Sequence, residues 1–280
     1  MSASIPFNGE IITSRQNRRV VELMKLDDRR AREKTRTFRF DGVKLFCEAV
    51  QRGVELCFIL VDETLATGVD AKARELYGIG ICDAGCRILY LSHELFVKIS
   101  DENAPEGIIC VAKYIDKFQK FATIYNSVHF SQMQNESIVL LESVRDPSNV
   151  GAIIRSAAAI GIDRLILSAD CADIYHPKAV RASMGTLFNQ HIDRVSDLAA
   201  TVGEMCKSGR RVFAAALDER ALPLGKFEIL AGDAVVIGNG CKIKNLSIDV
   251  NNVDAEGKVD GSMPFVGMFA YVNSSVSGIE

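Results

Sequence analysis

The sequence predicts an α/β fold, with a parallel-sheet domain in the second half of the chain preceded by a smaller α/β domain. Two observations carry the larger domain. From residue 137 onward strand and helix patterns alternate, and the strands (SIVLLES, RLILS, RVFAAAL, DAVVIGN) are almost continuously apolar. Strands of that kind belong to a parallel sheet covered by helices on both faces. A third observation concerns ligands. The segments that follow the strands, ESVRDPSN, LSADCADI, AALDER and VIGNGCK, are rich in Gly, Asn, Asp and Ser, and open α/β sheets bind ligands at the carboxyl ends of their strands. With 280 residues, 48% hydrophobic and 25% charged, the chain can bury one large core or two ordinary ones.

Residues 1–113 read as the smaller domain. Ser14 is a candidate N-cap, and Val20, Val21, Leu23, Met24 and Leu26 form a helical stripe after it. TFRFDG is a short strand, and VKLFCEAVQRG a helix that Gly53 stops. LCFILVDE, RILYLS and GIICVAKY follow as strands, with helices over DAKARELYG and HELFVKIS between them. Residues 114–136 are polar, aromatic and poorly periodic, and read as a linker. Residues 137–280 form the larger domain: SIVLLES as a strand, NVGAIIRSAAAIG as a helix, and RLILS as a strand. HPKAVRASMG is then a short helix and VSDLAATVGEMCKSG a longer one, before the strands RVFAAAL and DAVVIGN.

The net charge of −3 hides an asymmetry. Residues 11–44 hold eleven Lys/Arg against five Asp/Glu, a local +6, and residues 45–280 sum to −8. A basic segment on an acidic body is either a phosphate-binding footprint or a solvated helix face, and charge alone leaves both open. No apolar run approaches the roughly 20 residues that cross a bilayer. MSASIPFNGE has neither the basic nor the apolar region of a signal peptide. The eight scattered cysteines then read as free, buried thiols of a cytoplasmic protein. No His or carboxylate cluster has metal-ligand spacing, so no metal is expected.

The stretch DPSNVGAIIRSAAAIG, residues 146–161, carries the chemistry. It reads as strand end, turn and helix: Pro147 stiffens the turn, and Ser148 or Asn149 caps the helix. Gly151, Ala152, Ala157, Ala158 and Ala159 allow another backbone to come close. Arg155 lies one turn beyond Gly151, and its side chain leans back toward the rim where the strand ends. An arginine in so apolar a helix either forms a structural salt bridge or is aimed at an anionic or hydroxyl-bearing substrate.

DPSNVGAIIRSAAAIG resembles the first motif of the SpoU/TrmH family of RNA 2′-O-ribose methyltransferases, within the SPOUT superfamily. HPKAVRASMG, residues 176–185, resembles the second motif, and VVIGNG followed by MPFVGMFAYVNSSV the third. ITSRQNRRVVELMKLDDRRAREKTRTFRFDGVKLFCEA is similar to the family's substrate-binding domain, itself like some ribosomal proteins. The resemblance implies a trefoil-knotted SPOUT domain, an exception to the rule against knots. It also implies S-adenosylmethionine as methyl donor and a homodimer with the active site at its interface. Arg155 then works at the ribose 2′-hydroxyl, beside a methyl group bound by the partner subunit, with Asn149 and Asn273 as the other catalytic positions. A guanidinium stays protonated, so its expected part is orientation and electrostatic stabilisation, with an RNA phosphate as proton acceptor. Leu217, Gly238, Asn239, Met263 and Val272 take donor-binding positions. Lys178 and Arg181, three residues apart on one helical face, contact RNA phosphate or are merely solvated. Arg15, Arg29, Arg30 and Arg32 carry the RNA-binding reading of the basic segment. His176 reads as a cap or surface residue rather than a base, and Ser183, Met184 and Gly185 as a small-residue turn.

The third motif departs from the family pattern. Where the family reads Gly-Asn-Glu-Gly, this chain reads Gly238-Asn239-Gly240, without the glutamate. The later Glu-Ser-Leu-Asn-Val-Ser is here Ala270-Tyr271-Val272-Asn273-Ser274-Ser275. The leading expectation is an S-adenosylmethionine-dependent RNA 2′-O-ribose methyltransferase acting on ribosomal RNA, with transfer RNA as another substrate the sequence allows. Beside it stands an RNA-binding member of the family with weak or no methyl transfer.

Overall fold

The computed structural model describes residues 10–116, 119–120, 124–215, 222–223, 228, 230–238 and 268–272. The first stretch runs α1 (Arg18–Lys25), α2 (Arg29–Thr35), β1 (Thr37–Asp41), α3 (Val43–Gln51), β2 (Leu56–Asp62), α4 (Ala66–Tyr77), β3 (Arg87–Leu91), α5 (His93–Ile99) and β4 (Ile108–Lys113). The chain continues through β5 (Gln119–Lys120), α6 (Ser127–Gln132), β6 (Ile138–Glu142), α7 (Pro147–Ala159), β7 (Arg164–Ser168), α8 (Pro177–Ala182) and β8 (His191–Val195). It then runs α9 (Leu198–Lys207), β9 (Val212–Ala215), β10 (Leu222–Pro223), β11 (Ala234–Gly238) and β12 (Met268–Val272). These elements form two compact units that do not follow chain order. One takes the described residues up to Asp116 together with Pro147–Arg155 and Asp173–Asn189, and the other takes the rest.

Local chemistry sets the element ends. The cap of α1 is Asn17, whose side chain accepts from Arg19 N at 2.9 Å. Ser14, expected in that role, sits in the turn before it and accepts from Gln16 N. Asp28 starts a separate helix, α2, by accepting from Arg30 N at 3.1 Å. In the first unit the sheet order is β1-β4-β2-β3, with only β2 and β3 parallel. One core packs Val20, Leu23 and Leu26 against Phe58, Leu60, Phe96, Ile109 and Val111. A second is aromatic: Phe38 lies 4.7 Å from Tyr175, and Phe40 5.3 Å from Phe188, by ring centroids.

The second unit is built on an eight-stranded sheet of order β10-β12-β9-β11-β6-β7-β8-β5. The expected parallel pairing holds for β5 through β9 and for β11, while β12 and β10 run antiparallel at one edge. The segment read as a linker contributes β5 at the other edge and α6, and its Tyr125 and Phe130 are buried in the core with Leu140, Ile166, Met205 and Val236. Aromatics spaced without period are legible as core only once α9 is there to cover them. Chain order reverses across the β6–β11 pair, since β6 leads outward to β7 and β8 while β11 returns on its other side. Ligands of open parallel sheets bind at such a reversal, outside the carboxyl ends.

Candidate functional site

In the second unit the reversal is marked by Glu142 and Gly238, register partners at the carboxyl ends of β6 and β11. A Cβ on Gly238 would lie 3.0 Å from the Glu142 carbonyl oxygen and 3.3 Å from its carboxylate, so a side chain there would crowd Glu142. Burial, and then the charge of Asp170, raises the Glu142 pKa. Among the described residues no donor satisfies it. Beside it Ser143 adopts φ +52°, a left-handed conformation uncommon for a side-chain-bearing residue. Its hydroxyl donates to Asp170 at 2.6 Å, the Ser168 hydroxyl donates to the same carboxylate at 2.7 Å, and Arg145 approaches it at 3.3 Å. Those hydrogen bonds hold the Asp170 carboxyl down to about 2. Arg194 on β8 fixes the adjoining loop by donating to the carbonyls of Ala169, Cys171 and Ala172, each at 2.9 Å. Sequence patterning gave no sign of Arg194, because its partners are backbone atoms.

In the first unit the amino-terminal part of α7 meets α8. Pro147 is the first residue of α7, so Ser148 and Asn149 lie in its first turn rather than at its cap. Val150 and Ile154 are buried, and Gly151 packs on α8. A Cβ on Gly151 would overlap the Ala179 carbonyl oxygen and stand 2.8 Å from the Ala182 Cβ. Arg155 is exposed, and among the described residues its guanidinium has no ion pair or hydrogen bond. The structural salt bridge that composition left open is therefore not made there.

On α8, His176 is the cap, its Nδ1 accepting from Lys178 N at 3.2 Å, as expected from the sequence. Burial, and then the Arg32 charge, lowers its pKa. Lys178 is exposed, and Arg181 stands 3.9 Å from Glu102. The Ser183 hydroxyl is buried and donates to Val180 O at 2.7 Å, so it serves the turn rather than a substrate. Met184 and Gly185 complete that turn with φ of +54° and +91°.

The basic segment divides. Arg15, Arg29 and Arg30 are exposed, Arg29 paired with Glu33 at 2.8 Å. Arg32 is 1% exposed, and its guanidinium is taken up by Asp173 and by the carbonyls of Leu26 and Asp27. The expectation of an RNA contact at Arg32 is corrected accordingly: a charge held inside the protein is not offered to phosphate. Arg36, which the sequence did not single out, stacks its guanidinium 4.7 Å above the Tyr114 ring. Of the expected donor-binding and catalytic residues, Leu217, Asn239, Met263 and Asn273 lie outside the described residues, as does Gly240. Val272 pairs with Val212, which in turn pairs with Ala234 at the start of β11. Val272 therefore stands at the amino ends of the strands, and the structure does not bring it to Gly238.

Residues 136–241 match the SpoU rRNA Methylase family, and residues 17–110 match the MRM3-like substrate binding domain. The chain is 27% identical over 228 residues to the 23S rRNA (guanosine(2553)-2′-O)-methyltransferase RlmP of Bacillus subtilis (strain 168), covering 81% of this chain and 82% of the relative. Its fold is similar to a crystal structure of an RNA 2′-O ribose methyltransferase, with a TM-score of 0.64, 24% identity, and 82% of this chain and 81% of that one covered. It is likewise similar to the SpoU methyltransferase AviRb from Streptomyces viridochromogenes in complex with AdoMet, with a TM-score of 0.61, 24% identity, and coverage of 81% and 83%.

Proposed function

We infer that the chain transfers a methyl group from S-adenosylmethionine to a ribose 2′-hydroxyl of RNA, with ribosomal RNA as substrate, a reading supported by the match of residues 136–241 to the SpoU rRNA Methylase family and of residues 17–110 to the MRM3-like substrate binding domain. Residues 1–113 bind the RNA, and the rest of the chain carries out transfer in a trefoil-knotted SPOUT domain to whose sheet and core the segment 114–136 contributes. Ribosomal RNA as substrate and the free thiols among the described residues fit a cytoplasmic protein. The functional assembly is a homodimer.

The observation that carries the reading is Arg155: an exposed guanidinium without a partner among the described residues, one turn beyond the Gly151 that packs α7 against α8. The donor supplies a methyl group on a sulfonium centre. The chain's part is to hold it and to bring the hydroxyl in line. Gly238 and the carboxylate of Glu142, unsatisfied by any donor among the described residues and half-buried at the sheet reversal, fit a ligand that carries positive charge and ribose hydroxyls. Arg155 orients the 2′-hydroxyl and stabilises the oxyanion that develops on it. The proton leaves to an RNA phosphate. Asn149 stands on the same helix, in its first turn. Lys178, Arg15, Arg29 and Arg30 offer exposed charge to the RNA backbone.

A second reading, an RNA-binding member with weak transfer, is favoured by one observation. Val272 lies at the far end of the strands from Gly238, in a motif that also has Gly240, Ala270 and Tyr271 where the family has other residues. Two measurements decide between them: calorimetric titration with S-adenosylmethionine, and tritium transfer from labelled donor to ribosomal RNA. Donor binding with transfer supports the enzyme. RNA binding with neither supports the second reading.

A further inference from the structure

We propose that the buried ion pair between Arg32 and Asp173 is a positioning device, through which RNA held on the exposed face of α2 fixes the placement of α8 and of the first-motif helix packed on it. The proposal rests on the inferred RNA methyl transfer, and concerns how the substrate-binding segment and the catalytic helices act together.

Arg32 sits on α2 among arginines that face solvent, yet it is fully buried. Its Nε and Nη2 both donate to Asp173 Oδ2, at 2.9 and 2.6 Å. Its Nη1 donates to Leu26 O at 2.7 Å and Asp27 O at 3.0 Å, closing the end of α1. One guanidinium thus holds α1, α2 and the segment leading into α8. From Asp173 the next steps are hydrogen bonds donated by backbone N–H groups. Asp173 Oδ1 accepts from Tyr175 N at 2.9 Å, and its carbonyl accepts from His176 N at 3.1 Å. His176 caps α8. Tyr175 is itself fixed, stacked 3.8 Å from Tyr114 and accepting from Ile115 N at 2.7 Å. The last step is the contact of Gly151 with the Ala179 carbonyl, which ties α8 to the helix bearing Asn149 and Arg155.

Stability alone does not account for such a pair, because an apolar pair of similar volume serves a core as well or better. What the ion pair adds is a fixed geometry between a surface that meets the substrate and a helix that carries the reacting group. Misplacing such a group by about 1 Å can reduce a rate by roughly 10²-fold.

The test uses the full chain and three variants: Asp173→Asn, Arg32→Lys, and the double Arg32→Met with Asp173→Leu, which leaves no unpaired charge buried. Amide hydrogen exchange over residues 173–183 is followed with and without ribosomal RNA, beside RNA affinity, KM and kcat for methyl transfer. RNA should slow exchange over 177–183 in the wild type. Asp173→Asn should lose that slowing, and its kcat should fall by about 10- to 100-fold while RNA affinity and KM stay near wild type. The double variant should lose no more than the single ones, since the linkage from α2 to α8 runs through the same ion pair in each. A folded variant that keeps both kcat and RNA-induced protection overturns the proposal. So does a loss confined to RNA affinity, which would return Arg32 to direct RNA contact. If the wild type binds RNA but transfers no methyl, the exchange data still decide the linkage, and only the transfer reading falls.

Discussion

Arg155 and Arg32 are two arginines of opposite fate, and the contrast turns on burial, which composition does not register. Arg155 stands exposed on α7 and serves no contact among the described residues, so Arg155→Ala should leave folding and donor binding nearly intact while transfer falls by about 10²–10³, the usual effect of losing one transition-state contact. Arg155→Lys should fail as well, because a point charge does not reproduce the planar fork. Tritium transfer measured in parallel with donor titration checks both, and wild-type transfer in Arg155→Ala would make the arginine structural. Arg29 and Arg30 remain the exposed arginines of α2. Replacing both with Ala should flatten the dependence of log affinity on log salt by roughly 0.7–0.9 for each phosphate contact removed. An unchanged slope would assign them to a solvated face.

At the scale of elements, glycines separate packing from chain freedom. Gly151→Ala would drive a methyl into the Ala179 carbonyl, and should destabilise by about 1–3 kcal/mol in chemical denaturation. Gly203, inside α9 with nothing within 4 Å of a built Cβ, behaves in the opposite sense: Gly203→Ala should stabilise by about 0.4–1 kcal/mol. Equal effects at the two positions would refute the close α7–α8 contact. The elements themselves were largely legible, because α7, α9 and the apolar strands follow a period that burial imposes over several residues. What escaped the sequence depends on partners distant in the chain. Asn17 takes the cap from Ser14 only because the helix starts three residues later. Phe130 is core only where α9 covers it, and the antiparallel β12 is set by its pairing with β9. The site follows the same rule. The close packing of Gly151 and the His176 cap were readable from local pattern. The Arg32–Asp173 pair and the Arg194 clamp were not, since neither carries a periodic signal.

For the whole molecule, the proposed homodimer makes a prediction that one chain's surface sharpens. Ile160, just past the end of α7, is 77% exposed. A single exposed isoleucine is ordinary on a monomer. It gains meaning from its neighbours Ala158 and Ala159, which are not buried and are small enough to let a second helix approach the same turn. If the proposed dimer forms through this helix end, Ile160 is covered in solution. Light scattering at micromolar concentration should then give twice the 30.6 kDa chain mass. Ile160→Glu should shift the equilibrium toward monomer, because a carboxylate buried without a partner is strongly penalised. Its far-ultraviolet dichroism and melting should stay close to wild type, since the residue makes no core of its own. Methyl transfer should fall together with the dimer fraction across a dilution series, because the acceptor-side Arg155 and the donor would come from different subunits. A wild type that runs as a monomer, or an Ile160→Glu variant that stays dimeric, would place the interface elsewhere or remove it. A monomer with full transfer would further require that one chain supply both Arg155 and the donor site.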